Sequence, residues 1–562
     1  MKSPVMNPLS IRFAAFLLLP FLSHNLQAQT AGGSWDAIHH STGQTANDWY
    51  GYAVCGAGDI DQDGFADYAI GASGDGSFGP SHFGVVYLRS GRTGYVIRTY
   101  QGSGNYTGFG NTIQNAGDID GDGVQDLIVG ASYAGPIGAG SAYVYSGATG
   151  LELYRFDGMD SGDQFGRTVN GAGDVDGDGF GDLVVGAPFA GNNEGRVYVY
   201  SGATGIKLRT LWLFGTPGFG HAVSGAGDVD GDGLDDIVIS TTAAFGGIGA
   251  GNSTGTVFAY SVATGNLITQ VDGQTPGGWL GWAIGHCGDI DQDGLADLMF
   301  TIPNEGNGIG RIVSSATGAV LLEVIGSLPF GGTGSSIDFS GDVNGDGTFD
   351  FILGRGTHAV EADGFEVFSG VDGSLLYNYD SGIVGQGFAT ARNAGDVNRD
   401  GRADVIFGTR DFSVGVMEDM GVAEVISFDP YLTTSHRAIS AAAGGIMSFD
   451  LEFPVEQSGN QYRIIASNFG TGPFTWRGLE IPLSAQGHVW NLSSSGLSPS
   501  WFSGGEGQLN TQGRATASAF VPTGGLTAYI GQTVYFSAVS YQLYPNVVGE
   551  SASAAVALTI LP

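Results

Sequence analysis

Seven nine-residue stretches of this chain match D-x-[DN]-x-D-G-x-x-D, a spacing that lets oxygens at alternate positions converge on one hard cation. The side chains concerned are Asp59, Asp61, Asp63 and Asp67; Asp118, Asp120, Asp122 and Asp126; Asp174, Asp176, Asp178 and Asp182; Asp228, Asp230, Asp232 and Asp236; Asp289, Asp291, Asp293 and Asp297; Asp342, Asn344, Asp346 and Asp350; and Asp396, Asn398, Asp400 and Asp404. Calcium accepts about 6 to 8 oxygens at about 2.3 to 2.6 Å, whereas magnesium demands near-octahedral geometry and keeps its waters, so structural calcium is the expected ion, up to one per loop. In the first loop the expected ligands are the side chains of Asp59, Asp61 and Asp63, the carbonyl of Phe65 and a bidentate Asp67, with Gly64 permitting the bend. Asn344 and Asn398 remove ligand charge, so sites six and seven should bind more weakly. A helical calcium hand would need Glu at position 12, but Ile70, Val129, Val185, Ile239, Phe300, Leu353 and Phe407 stand there, each in a strand-like run.

The loops begin 59, 56, 54, 61, 53 and 54 residues apart, so the chain is a repeat array with one cation loop per unit. In the second unit an apolar segment from Phe109 enters the loop at Asp118. Leu127 to Val129, Ala142 to Tyr145 and Leu151 to Phe156 follow, separated by turn residues, which makes four short strands in a meander. The segments after the loops (YAI, LIV, LVV, IVI, LMF, FIL and VIF) are continuously apolar, as expected for strands covered on both faces by neighbouring units. Six units carry a hairpin turn S-x-x-[TD]-G after the third strand, at Ser90, Ser146, Ser201, Ser261, Ser314 and Ser369. In the seventh, Ser427 is followed by Phe428, Asp429 and Pro430, so that unit lacks its own fourth strand. Trp35 to His39, ahead of the first loop, is the spare strand and is expected to complete the seventh unit, closing a ring that leaves no open stack edge.

These units resemble the FG-GAP repeat of the integrin alpha-chain N-terminal β-propeller over about residues 31 to 429. The resemblance rests on Phe109-Gly110, Phe165-Gly166 and Phe219-Gly220, on Gly186-Ala187-Pro188, and on Gly-Ala-Ser at Gly71 and Gly130. Later units drift, with Leu280-Gly281 in place of Phe-Gly, and Thr301 or Gly354 where the Gly-Ala-Pro step falls. The resemblance implies an all-β, seven-bladed β-propeller and an adhesion or ligand-binding module with an extracellular protein or glycan partner. In that family only some blades carry the calcium loop, whereas here all seven do.

Composition agrees. Glycine at 100 of 562 residues, far above the usual share of about 7%, suits many tight turns. The formal charge of -35 excludes the basic footprint of nucleic-acid binding, and seven divalent ions would bring it to -21. Lys2, Arg12, the apolar run Phe13 to Leu22 and Ala28 read as a signal peptide over residues 1–28, so the protein is expected to be secreted, extracellular or cell-surface associated, and monomeric. No later segment is apolar enough to span a bilayer. Cys55 and Cys287 lie in units one and five, too far apart round a ring for the Cα separation of about 7 Å that a disulfide needs, and read as buried thiols.

No catalytic constellation stands out, so the chain does not read as an enzyme. Gly251 to Gly255 matches G-x-S-x-G but precedes a strand rather than forming a strand-to-helix turn. Trp35, Trp49, Trp212, Trp279 and Trp282 are candidates for a sugar-binding surface, against the blander reading of blade packing. After Pro430 the acidic loops stop, and residues 430–562 alternate in strand-like segments that suggest a C-terminal β-sandwich-like domain for attachment, sorting or capping. The runner-up functions are an extracellular polysaccharide- or lipid-degrading scaffold and a structural surface component.

Overall fold

The structure is a computed structural model that describes residues 33–430 apart from 45–46, 75–82, 105–106, 136, 243–252, 329–331, 344–347, 357–362, 382–388 and 411–418, together with strand segments beyond 430. The signal-peptide expectation therefore falls outside the described residues. Seven four-stranded antiparallel sheets account for residues 33–430. Blade 2 shows the plan: Phe109–Gly117, Asp126–Ala131, Ser141–Tyr145 and Glu152–Asp157 pair in sequence order. The first strands of successive blades pack on one another from blade 1 to blade 7, and that of blade 7 packs on that of blade 1, so the ring closes.

Closure uses the N-terminal strand. Gly33–Thr42 pairs antiparallel with Val422–Pro430, setting Trp35 opposite Phe428 and His39 opposite Val425, and the seventh sheet is completed by Asp404–Thr409 and Ala389–Gly395. His40 Nδ1 lies 2.7 Å from Glu424 Oε1 across this pairing. The closing strand runs past the expected Trp35 to His39 and contains both histidines.

The second strands of blades 1, 2, 3, 4, 6 and 7 are buried at all six positions. Their side chains feed apolar clusters that sit one at each seam between blades. One, for example, joins Cys55, Val86 and Leu88 of blade 1 to Phe109, Leu127 and Tyr143 of blade 2. Continuous apolar runs follow from this geometry, because each blade has a neighbour on both faces. Both cysteines are free and buried.

At the Phe-Gly step the glycine takes a left-handed φ, +82° at Gly110 and +76° at Gly166, which a side chain would strain. A Cβ on Gly166 would lie 2.2 Å from the Ser141 carbonyl oxygen of the preceding blade. The glycine lets two blades approach, and the phenylalanine fills the seam: Phe109 is fully buried, edge-on to Tyr143 at 5.4 Å between centroids.

Beyond the ring, two larger sheets form beside the two-stranded hairpin of Pro473–Trp476 and Leu479–Pro482. One orders Leu432–Thr434, Gly445–Glu452, Arg514–Val521 and Phe502–Ser503; the other is built around Thr533–Gln542, flanked by Gln461–Ser467 and Val556–Leu561. Phe449 of the first sheet meets Phe536 of the second at 4.9 Å, the contact expected between facing layers of a sandwich. Among the described residues no helix is long and apolar enough to cross a membrane.

Candidate metal centres

Each acidic loop joins the first and second strands of a blade, and the S-x-x-[TD]-G turn joins the third and fourth, so both lie on one face of the ring. The chain uses this proximity. In blade 2, Asp126 is fully buried at the start of the second strand; its Oδ2 accepts the Ile119 N–H at 2.8 Å and its Oδ1 accepts the Gly147 N–H at 2.9 Å. Asp67 with Ile60 and Gly91, Asp182 with Val175 and Gly202, and Asp350 with Val343 and Gly370 repeat the arrangement. The ninth-position aspartate therefore ties its loop to its blade's outer turn, a role that ligand counting in the sequence missed. The signal was available: turn and ninth aspartate occur together in units one to six.

The other loop oxygens cap backbone donors. Asp118 Oδ1 and Oδ2 accept the N–H groups of Gly121 and Gly123, both at 2.8 Å, and Asp122 Oδ1 accepts Val124 N–H at 2.9 Å. Five loops bring three carboxylates together so that one oxygen from each lies within 4.8 Å of the others: Asp59, Asp61 and Asp67; Asp118, Asp120 and Asp122; Asp174, Asp176 and Asp182; Asp228, Asp230 and Asp236; Asp289, Asp291 and Asp297. Oxygens that share a cation at about 2.3 to 2.6 Å stand at most about 5 Å apart, so these trios fit a hard divalent ion in spacing and in donor type. Asp63, Asp178, Asp232 and Asp293 stand outside the trios, as does Asp126. In loop six Asn344 and Asp346 lie outside the described residues. In loop seven Asn398 Oδ1 accepts the Asp400 N–H at 2.9 Å, while its Nδ2 donates to Ser427 Oγ at 2.7 Å.

Burial without a counter-ion leaves these carboxyls weakly acidic. Desolvation pushes Asp67 and Asp126 up to about 6, and Asp182, Asp236 and Asp404 up to about 7, against the opposing pull of their hydrogen-bond donors. A cation that held them ionised would remove that cost.

The loops also join blades. The carbonyls of Asp174, Asp228 and Asp396, each the first residue of its loop, accept N–H groups of Asp235, Ala296 and Ala66 in the following blade at 3.1, 2.8 and 3.0 Å. The apolar residue after that aspartate packs against the next blade's turn, where a Cβ on Gly147 would lie 2.7 Å from Ile60 Cδ1. Outer strands reach the same turns: His39 Nε2 is 2.5 Å from Gly91 O, Arg98 Nη2 donates to Ala148 O at 2.5 Å, and Tyr154 Oη donates to Ala203 O at 3.0 Å.

The opposite face carries the loops between second and third strands and the connections from one blade to the next. Five are stitched in series by four backbone bonds: Tyr133 N–H to Thr107 O, Gly162 N–H to Gly138 O, Phe189 N–H to Asp163 O, and Gly218 N–H to Asn193 O. Along them Tyr133, Ile137, Met159, Trp212 and Phe214 are exposed, Phe214 to 87%. Ser253 of the G-x-S-x-G match lies ahead of the strand Thr256–Tyr260, and Gly251 and Asn252 are outside the described residues.

The FG-GAP repeat profile matches residues 109–145 and 165–200, the second and third units. Integrin alpha-V of Gallus gallus is 29% identical over 210 residues, 34% of this chain and 20% of that protein. Integrin alpha-4 of Xenopus laevis is 35% identical over 139 residues, 22% and 13% of the two chains, and integrin alpha-5 of Xenopus laevis 27% identical over 234 residues, 38% and 21%. The matched segments thus span about a fifth or less of the length of these relatives.

Proposed function

We propose that this chain, whose ring is an integrin-alpha-like FG-GAP β-propeller, is an exported, calcium-stabilised adhesion or ligand-binding module that recognises its partner on the face opposite the acidic loops. The observation that carries the reading is the stitched ridge of loops bearing Trp212 and Phe214. Large exposed aromatics held on a pre-ordered backbone are the groups that dominate protein interfaces, because they desolvate much area with little entropy to lose. Leu213 packs partly into the seam between blades 3 and 4, which fixes the two aromatics on either side of it. The described residues of 132–140, 158–164, 188–195, 212–218, 273–279 and 303–308 include Asp160, Asp163, Glu194 and Glu305 but no Lys or Arg, so an apolar partner with a basic rim suits this face.

Calcium belongs on the other face. Its proposed ligands are the aspartates and asparagines of the seven loops, and the trios within 4.8 Å support this for loops one to five. Because the loops of blades 3, 4 and 7 bond to the following blade, an ion there would stiffen a seam as well as one sheet. The likeness of the ring to integrin alpha chains supports the adhesion or ligand-binding reading.

Two measurements decide the matter. Thermal unfolding should shift upward by several degrees with calcium relative to chelator, with elemental analysis finding bound calcium; equal midpoints and no calcium would end the metal assignment. Matrix-protein and glycan arrays should give binding that Trp212→Ala and Phe214→Ala weaken. Turnover of an arrayed polysaccharide would replace the module reading by an enzymatic one.

A further inference from the structure

In blades 1 to 6 the residue after the left-handed glycine leads into the innermost strand, on the same face as the aromatic ridge. The glycine is constant from blade 1 to blade 6, at Gly51, Gly110, Gly166, Gly220, Gly281 and Gly334, with φ between +76° and +105°. The next residue is not: it is Tyr52, Asn111, Arg167, His221, Trp282 and Ser335. Within one chain, a position that changes in every copy beside one that never does is a position the fold leaves open to other use.

Tyr52, Trp282, Asn111, Gln114, Ser335 and Thr390 line a cup of 170 Å³ here, each half-buried and drawn from the innermost strands of several blades or the glycine step just before them. Two features define its chemistry. Tyr52 and Trp282 supply aromatic wall, while among the described residues the Gln114 amide and the Thr112 hydroxyl, both in the lining, have no protein hydrogen-bond partner. Half-buried polar groups without partners favour a ligand that brings its own hydroxyls. The lining contains no carboxylate, which disfavours a cation. Its one guanidinium, Arg392, donates to Ile337 O at 2.7 Å and faces the half-buried Asp338 carboxylate, which disfavours an anion.

We propose that this cup binds one neutral pyranose ring of a glycan, its C–H surface against Trp282 and Tyr52 and its hydroxyls on Gln114, Asn111, Ser335 and Thr390. The proposal rests on the ring being a ligand-binding module and names the ligand class of its central subsite. The cup has room for a single sugar residue and its polar groups converge from several directions, as vicinal hydroxyls require.

The test uses the full chain loaded with calcium and a set of methyl pyranosides (glucoside, galactoside, mannoside and N-acetylglucosaminide), read by saturation-transfer NMR and calorimetry. At least one should bind, and Gln114→Leu and Trp282→Leu should each weaken it tenfold or more while Tyr95→Ala, an exposed residue on the acidic-loop face, leaves it unchanged. Because Trp282 packs on Trp279 and His221, Thr390→Val serves as a gentler second variant, with melting temperature and calcium content as controls. No pyranoside bound by the wild type, or binding indifferent to all three substitutions, overturns the proposal. Capture of a matrix protein that Phe214→Ala abolishes, with no sugar bound, would overturn the cup and leave the module standing. An absence of any protein or glycan partner would remove both.

Discussion

Blades 2 and 6 solve one packing problem in opposite ways. The strand registers make Phe109, Ala131 and Tyr143 of blade 2 equivalent to Thr333, Arg355 and Glu366 of blade 6. In blade 2 the seat is apolar, with Phe109 edge-on to Tyr143. Blade 6 has lost the phenylalanine, and the space holds an ion pair: Arg355 Nη1 lies 3.9 Å from Glu366 Oε1, both side chains fully buried. The charges are not left bare. Glu366 accepts from Thr333 Oγ1 at 3.3 Å and from Ser327 N–H at 3.0 Å, while Arg355 donates to Tyr379 O at 3.0 Å and to the Asn378 side chain. The difference teaches that the seam requires filled volume and satisfied donors, and that the Phe-Gly signature is one way of meeting that requirement.

Removing half of the pair should break the comparison hardest. Arg355→Met would leave a buried carboxylate unpaired and cost about 3–5 kcal/mol in urea unfolding, whereas a loss below about 1 kcal/mol would show the seat to be wet. Next in size, Asp126→Ala in blade 2 strands the Ile119 and Gly147 N–H groups and should cost about 2–4 kcal/mol, lowering bound calcium by one ion on elemental analysis. Rebuilding the apolar seat in blade 6 with Thr333→Phe, Arg355→Ala and Glu366→Tyr together should give a protein equal to wild type or up to about 4 kcal/mol more stable, since apolar replacement of a buried pair is often neutral or favourable. If the triple variant were as weak as Arg355→Met, the two seats would not be equivalent.

The smallest effect separates seats from loops by pH. The ninth-position carboxyls of blades 1 to 4 and 7 sit at about 6 to 7 when folded and metal-free, above the 3.8 they would have unfolded. The folded state then binds more protons between those values, so the chelated protein should gain stability as pH falls from 8 to 5. The calcium-loaded protein should lose stability over the same range, because protons compete for the ligand oxygens. Melting curves with and without calcium at each pH check the opposite slopes; parallel slopes would mean that the buried carboxyls hold no ion.

Much of this was legible before any coordinates. The period of the acidic loops gave seven blades, the missing turn after Ser427 identified the incomplete one, and the spare segment at Trp35 to His39 supplied its strand. The ninth-position aspartates were legible as oxygens, and their recurrence with the S-x-x-[TD]-G turn signalled a link, but that the Asp126 carboxylate takes the Gly147 N–H is set by the strand pairing within the blade. The Arg355–Glu366 pair was invisible for the same reason. Two charged residues in apolar strands look like defects until the register sets both beside Thr333.

By itself, then, the sequence determined the repeat, the blade count, the ring closure and the oxygen chemistry of the loops, since each follows from spacing along one chain. Only the tertiary structure decided that the loops clasp neighbouring blades, that the varying residues after the glycines of blades 1, 2, 5 and 6 converge on one cup, and that the exposed aromatics share a stitched ridge. Those are relations between units more than fifty residues apart, fixed by packing around the ring axis.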